Sequence, residues 1–198
     1  MGFVEPCLPS VRDTPPRGAE WVHEIKHDGY RVIVRREGTR ARIFTRRGFD
    51  WSGRFPWIEE GLLSLRVQSA TIDGEAVVCG QDGISDFEKL HSRAYDHEVF
   101  LYAFDLLELN GEDCRHAPLE KRKANLGKLL TRSTGVRLSE HIEDDGAIVF
   151  EHACKLGLEG IVSKRRDLPY CSGRVKSWIK IKNPASPAVL RVVEEGAW

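Results

Sequence analysis

Charged residues sit inside runs that otherwise read as buried strands, and this limits what the chain can fold into. Asp73-Gly74-Glu75 interrupts the apolar run from Ser69 to Cys79, and Asp105 ends Leu101-Tyr102-Ala103-Phe104. Glu159 and Lys164 bracket Gly160-Ile161-Val162-Ser163, and Lys180 and Lys182 flank Ile181 in the alternating run that begins at Trp178. A charge in an apolar strand is costly unless it lines a cleft or reaches solvent. Two lysines two residues apart share one strand face, where an anion is a natural reason to tolerate them. Lysine-protected sheet edges fit the same residues.

Local patterning gives a mixed α+β chain with mainly antiparallel sheets. Residues 1–20 hold four prolines and read as an extended lead-in. Tyr30, Val32 and Val34 alternate, residues 39–45 alternate again, and Glu37-Gly38 reads as the hairpin turn between them. Asp50 to Leu65 suits a helix, with Phe55, Ile58, Leu62 and Leu65 on one face. Ser69 to Cys79 is a strand with a bulge at Asp73-Gly74, Asp86 to Ser92 a short helix, and Val99 to Leu107 a buried strand. Asn110-Gly111 reads as a turn and Pro118 to Leu130 as a helix. A strand follows at Val136 to Ile142, a helix at Gly146 to Leu156, and strands at Gly160 to Lys164 and Trp178 to Lys182.

The 30 basic and 30 acidic residues cancel, so net charge does not indicate a nucleic-acid partner. Their distribution is uneven. Residues 22–48 carry eight Lys or Arg against three acids, 121–137 six against none, and 160–182 seven against one. Residues 49–113 carry fourteen acids and four bases. If the basic segments converge, they make a positive face beside an acidic back. The five scattered cysteines include no CxxC pair, which argues against a disulfide framework or a zinc knuckle. No apolar run approaches the length of a membrane span, so the expected setting is a reducing, soluble interior.

Lys26 lies in Glu24-Ile25-Lys26-His27-Asp28-Gly29-Tyr30-Arg31. An amine so placed can attack phosphorus and hold a nucleotide covalently. Nucleotide transfer also needs a base pocket, charge neutralisation at the α-phosphate and a divalent metal. Arg46 and Arg47, in Thr45-Arg46-Arg47-Gly48, can hold a ribose or a phosphate. Phe104 can stack on a flat base, and Glu75 can accept from a ribose hydroxyl or act through metal-bound water. Taken singly, these residues also read as a surface lysine, a solvated turn, a core aromatic and an edge-strand acid. Their ordered co-occurrence is what points to nucleotide chemistry.

In this order and spacing the chain resembles the nucleotidyltransferase domain of ATP-dependent DNA ligases, a superfamily that also holds RNA ligases and mRNA capping enzymes. The family's KxDGxR motif is matched by Lys26 to Arg31, its (S/T)RxG turn by Thr45 to Gly48, and its DGE by Asp73 to Glu75. The aromatic-bearing strand is matched by Leu101 to Asp105, EGxVxK by Glu159 to Lys164, and KxK by Lys180 to Lys182. The wording around Trp21–Arg36 and Ser177–Pro187 resembles bacterial end-joining ligases and their small stand-alone relatives. The resemblance implies an ATP-grasp-like α+β domain of antiparallel sheets flanked by helices over residues 21–183. The 1–20 lead-in would precede it and a 184–198 tail would follow, with the sixteen residues after Lys182 too few for the family's OB-fold barrel.

By position, the resemblance implies that Lys26 forms a lysyl–AMP bond, with ATP as cofactor and Mg2+ or Mn2+ required. Glu24 would read the adenine amino group, with Phe104 stacked on the ring. Arg31 and Arg46 would contact ribose, phosphate or the nicked strand. Glu75 would bind ribose and assist the metal, and Glu159 would help hold it. Lys164, Lys180 and Lys182 would balance the α-phosphate charge, the last two as catalytic groups. The implied partners are nicked or broken double-stranded DNA and a separate OB-fold or repair protein, with no membrane. The implied setting is the bacterial cytoplasm, nucleoid-associated when the protein is on DNA. An RNA ligase, a capping-type transferase and a non-catalytic DNA-end-binding module are the alternatives.

Overall fold

The computed structural model describes residues 3–194. The chain runs β1 (Cys7–Val11), β2 (Trp21–Ile25), β3 (Tyr30–Glu37), β4 (Arg40–Thr45), α1 (Pro56–Leu63), β5 (Ser69–Val77) and α2 (Phe87–Ser92). It continues through β6 (Phe100–Leu109), β7 (Glu112–Asp113), α3 (Leu119–Leu130), β8 (Val136–Leu138) and α4 (Gly146–Lys155). It closes with β9 (Gly160–Arg165), β10 (Gly173–Lys182) and α5 (Pro187–Glu194). Among the described residues there are two sheets, ordered β1-β10-β9-β2 and β4-β3-β5-β6-β7, with β8 alongside β6. The long pairings are antiparallel, as the alternation implied. No described helix is long and apolar enough to cross a membrane.

Local chemistry accounts for the element ends. The β3–β4 hairpin turns at Gly38, whose φ of 57° suits glycine. Asp86 and Asp145 cap α2 and α4 by accepting from Lys89 N at 3.0 Å and Ala147 N at 2.8 Å. The β5–β6 register shifts between Asp73 and Gly74, where the sequence indicated a bulge.

Several segments differ from the sequence expectation: Pro187–Glu194 of the expected tail is helix α5, and β10 starts at Gly173 rather than Trp178. The helix expected from Asp50 begins only at Pro56, because Asp50 bridges back to Phe44 and its carboxylate accepts from Ser52 N at 2.8 Å. Pro56 then takes the first helical turn, where its missing N–H costs nothing. The strand expected to reach Ile142 stops at Leu138. Beyond it Ser139 N donates to Ala103 O at 2.7 Å, and Ile142 crosses to bridge His23 on the other sheet. The proline-rich lead-in supplies a strand: β1 pairs in parallel with β10, at a sheet edge that tolerates Pro9.

The main core lies on the β3–β5–β6 sheet under α1 and α3, with Val32, Val34, Ile58, Ile72, Leu101 and Leu126 buried. A smaller cluster of Cys7, Ile33, Phe104, Leu107, Tyr170 and Trp178 joins the two sheets. The functional cavity opens beside that junction.

Candidate active site

Lys26 sits just past the end of β2, where its backbone N–H donates to Gly160 O at 3.0 Å. This bond ties the lysine to the start of β9 and brings its Nζ into an ion pair with Glu159 Oε2. Two glycines make the approach possible. A Cβ on Gly29 would collide with Ala76 O, and one on Gly160 with Ile181 O. Gly160 also holds φ at 142°. Beside Lys26 lies a cavity of about 200 Å3 lined by Glu24, Arg31, Arg46, Glu75, Phe104, Lys164 and Lys180, among others. Of the site residues singled out from sequence, Arg47, Glu159 and Lys182 are not in that lining. Glu159 lines a neighbouring cavity that shares Lys26 and His27. Lys182 stands opposite Gly160, on the same strand face as Lys180.

One end of the cavity is aromatic and closed by a buried charge cluster. Phe104 meets Trp178 edge-on at 6.0 Å, and Lys164 Nζ lies 4.3 Å and 4.0 Å from the two ring centroids. Lys164 donates to Glu24 Oε2 at 2.8 Å, and Lys123 of α3 to Glu24 Oε1 at 2.7 Å. Burial would raise the Glu24 carboxyl, but the two lysines outweigh it and hold it below the ordinary carboxylate range. Lys164 is drawn down to about 8, burial outweighing its attraction to Glu24.

The other end gathers lysines and carboxylates. Lys180 is half-buried, and burial followed by the like charges of Lys26 and Lys182 lowers its pKa. Burial pushes Glu75 up to about 7; Lys26 and Arg31 oppose the rise, whereas Glu159 and Asp73 add to it. Glu159 Oε2 is buried and meets Lys26 as an ion pair without a geometrically formed hydrogen bond. The charge of Glu159 is felt at Glu75, and a divalent cation would relieve that repulsion. Among the described residues no group of three or more His, Cys, Asp or Glu could hold a metal by itself. Two carboxylates completed by phosphate oxygens and water fit Mg2+, which rarely takes an all-protein cage.

Arg31 is turned inward. Its Nε and Nη2 grip Asp73 at 2.6 Å and 2.7 Å, and its guanidinium lies 4.3 Å from the Phe104 centroid. It therefore lines the cavity as a fixed charge. Arg46 and Arg47 are exposed on an adjoining groove with Phe49 and Trp51, and this groove shares Arg31, Arg46 and Glu75 with the cavity.

Several lining or supporting residues were not singled out from sequence. Trp178 precedes Lys180 by two positions and so shares its strand face, a signal that was available. His27 stacks on Tyr102 at 3.9 Å, and burial lowers it to about 4, so it is neutral near pH 7. Arg122, fully buried, grips Asp105 at 2.7 Å and 2.8 Å, which accounts for an acid inside an apolar strand. Arg122 and Lys123 both come from the 121–137 basic run, so part of the charge expected on a positive face is spent inside the fold.

The two sheets thus meet at a cavity lined by Lys26, further charged side chains and aromatic rings. The chain belongs to the ATP-dependent DNA ligase domain family, which matches residues 8–182. It is 41% identical over 186 residues to the multifunctional non-homologous end joining protein LigD of Pseudomonas aeruginosa, covering 91% of this chain and 22% of that protein. Identity to the multifunctional non-homologous end joining DNA repair protein LigD of Mycobacterium tuberculosis is 33% over 168 residues, covering 84% and 22%. The chain thus spans about a fifth of the length of these curated relatives. The structure of mycobacterial DNA ligase D complexed with ATP and MES superposes with a TM-score of 0.79 at 32% identity, covering 89% of this chain and 59% of that one.

Proposed function

We propose that this domain carries out the three chemical steps of DNA strand sealing, the first two through a covalent bond at Lys26. In the first, the Lys26 Nζ lone pair attacks the α-phosphorus of ATP. An N–P bond forms, the Pα–O bond to pyrophosphate breaks, and the amine's proton leaves. In the second, a 5′-phosphate oxygen at a nick attacks the same phosphorus, forming a 5′–5′ anhydride and returning Lys26. In the third, the 3′-hydroxyl attacks the 5′-phosphate and expels AMP.

The residues divide this work by position. Phe104, packed edge-on against Trp178, would stack on the base, and Glu24 would accept from its amino group. Glu75 lies where a ribose would come, and Arg31, with Lys180, offsets charge at the α-phosphate. Lys182 reinforces Lys180 from the same face, and Lys164 acts through Glu24. Arg46 and Arg47 present charge to the DNA backbone from the adjoining groove. Glu75 and Glu159 would hold Mg2+ or Mn2+, which supplies Lewis-acid neutralisation of the α-phosphate and the leaving pyrophosphate. Glu159 pairs with the Lys26 amine, so a cation held there would compete with that amine for the same carboxylate.

The observation that carries this reading is the Lys26 amine at the cavity wall, paired with Glu159 and faced by Lys180. The substrate is nicked or broken duplex DNA, in keeping with the end-joining relatives, and the setting is the bacterial cytoplasm. A separate OB-fold or repair protein is the partner we propose to complete the grip on the duplex. The test is incubation with α-labelled ATP and Mg2+ or Mn2+, with Lys26→Ala as control. A Lys26-dependent AMP adduct that discharges onto a nicked duplex is expected. Labelling by GTP instead, or preference for an RNA nick, would move the chain to the capping or RNA-ligase class. A folded chain that takes no adduct would overturn the proposal.

A further inference from the structure

We infer that Lys123, which lies outside every motif, fixes Glu24 as an obligate hydrogen-bond acceptor at the base end of the cavity and so selects purines with a 6-amino over a 6-oxo group. The inference rests on the nucleotide occupancy of this cavity proposed above.

Lys123 Nζ donates to Glu24 Oε1 at 2.7 Å and to Ser139 O at 2.8 Å, and both side chains are buried. Lys164 and, at 3.4 Å, Ser139 Oγ occupy Oε2. A carboxylate accepts about four hydrogen bonds, so Oε1 keeps acceptor capacity while Glu24 lines the cavity beside Phe104 and Trp178. The charged and titratable groups facing Glu24 are Lys123 from α3, Lys164 from β9 and His27 from the turn after β2. His27 is neutral near pH 7, and Lys164 is itself weakened by burial. Both lysines keep the carboxylate ionised, but Lys123, tied also to Ser139 O, is the partner that fixes the aim of Oε1. An ionised carboxylate only accepts. It matches the N–H of a 6-amino group and repels the oxygen of a 6-oxo group.

If Lys123 were only a pin between α3 and the segment after β8, its loss would weaken binding of all nucleotides alike. The test compares equilibrium binding of ATP and ITP by calorimetry, with adduct formation by intact mass as a second readout. Lys123→Met, its fold checked by thermal melting, should lower the ATP-over-ITP preference by about 10-fold or more, the scale of a misaimed charge-assisted hydrogen bond. An unchanged preference would overturn the inference. Should Lys123→Met fail to fold, Lys123→Met/Glu24→Gln removes both charges of the pair and takes its place. Its preference should equal that of Glu24→Gln alone, and a further loss would show that Lys123 acts by another route. Absence of any AMP adduct on the wild-type chain would instead count against the adenylation reading, because the binding preference is read without chemistry.

Discussion

The Tyr170 hydroxyl donates to Asp73 Oδ2 at 2.6 Å across 97 residues of chain. The same hydroxyl accepts from Cys7 N at 2.8 Å, so one side chain ties β1, the β9–β10 loop and β5 together. Asp73 is the fully buried anchor of Arg31, and the orientation of Arg31 under Phe104 depends on it. Tyr170→Phe leaves a buried N–H and one carboxylate oxygen short of a partner. We expect a loss of about 1–3 kcal/mol in urea unfolding and an adduct rate within a few-fold of wild type, since Arg31 keeps both bonds to Asp73. Asp73→Ala strands the Arg31 charge and should cost about 3–5 kcal/mol, with loss of the adduct. Equal stability of the two variants would refute this hierarchy.

The protonation of Glu75 gives a second prediction. A carboxyl whose folded pKa is raised binds its proton more tightly when folded. Its contribution to stability is complete below the ordinary carboxylate range and is lost as pH rises to about 7. Subtracting the Glu75→Gln melting profile from that of wild type should therefore leave a decline between about pH 5 and 7. Mg2+ or Mn2+ should raise the wild-type melting temperature near pH 7 and leave Glu75→Gln unmoved. A flat difference profile would refute the buried-acid account, and a metal response in the variant would refute Glu75 as a ligand.

Much of this site was legible because a charge in an apolar strand requires a partner. Glu75, Asp105 and Lys180 stood out on that ground, but their partners did not. Lys121-Arg122-Lys123 looks like a solvated cationic face, yet Leu119, Arg122, Lys123, Leu126 and Leu130 form the buried stripe of α3. Their spacing follows the helical period, so burial of the two cations was readable while the Asp105 and Glu24 destinations were not. Strand β1 left no local signal. Its pairing lies about 170 residues away, and Pro6 and Pro9 argue against a strand until the edge position is known.

Lys180 supplies a third prediction. It lines the cavity with Lys26, whereas Lys182 shares its face but stands outside the lining. A half-buried ammonium aimed at a developing phosphate charge contributes on the order of a 100-fold rate enhancement or more. Lys180→Ala should slow single-turnover adduct formation by about that factor, with Lys182 unable to substitute from its position. A rate within threefold (roughly 0.6 kcal/mol of barrier) would remove Lys180 from the phosphate's surroundings.

The backbone at Gly160 should matter as much as any side chain in the cavity. Its carbonyl receives the Lys26 N–H, it faces Lys182 in the β9–β10 register, and it immediately follows Glu159. Gly160→Ala would add strain at a φ of 142° and drive a Cβ into Ile181 O. Strand β9 would have to move, and Glu159 with it. Gly157 provides the contrast, since it also has a positive φ, 71°, but a Cβ there meets nothing within 4 Å. Gly157→Ala should lose about 1 kcal/mol from conformation alone and keep its adduct rate. Gly160→Ala should lose about 1–3 kcal/mol or more and, assayed well below its melting temperature, still form adduct at least tenfold more slowly. If both glycine variants lost stability but kept wild-type rates, the strand contact would be structural only, and the placement of Lys26 against Glu159 would have to come from elsewhere in the fold.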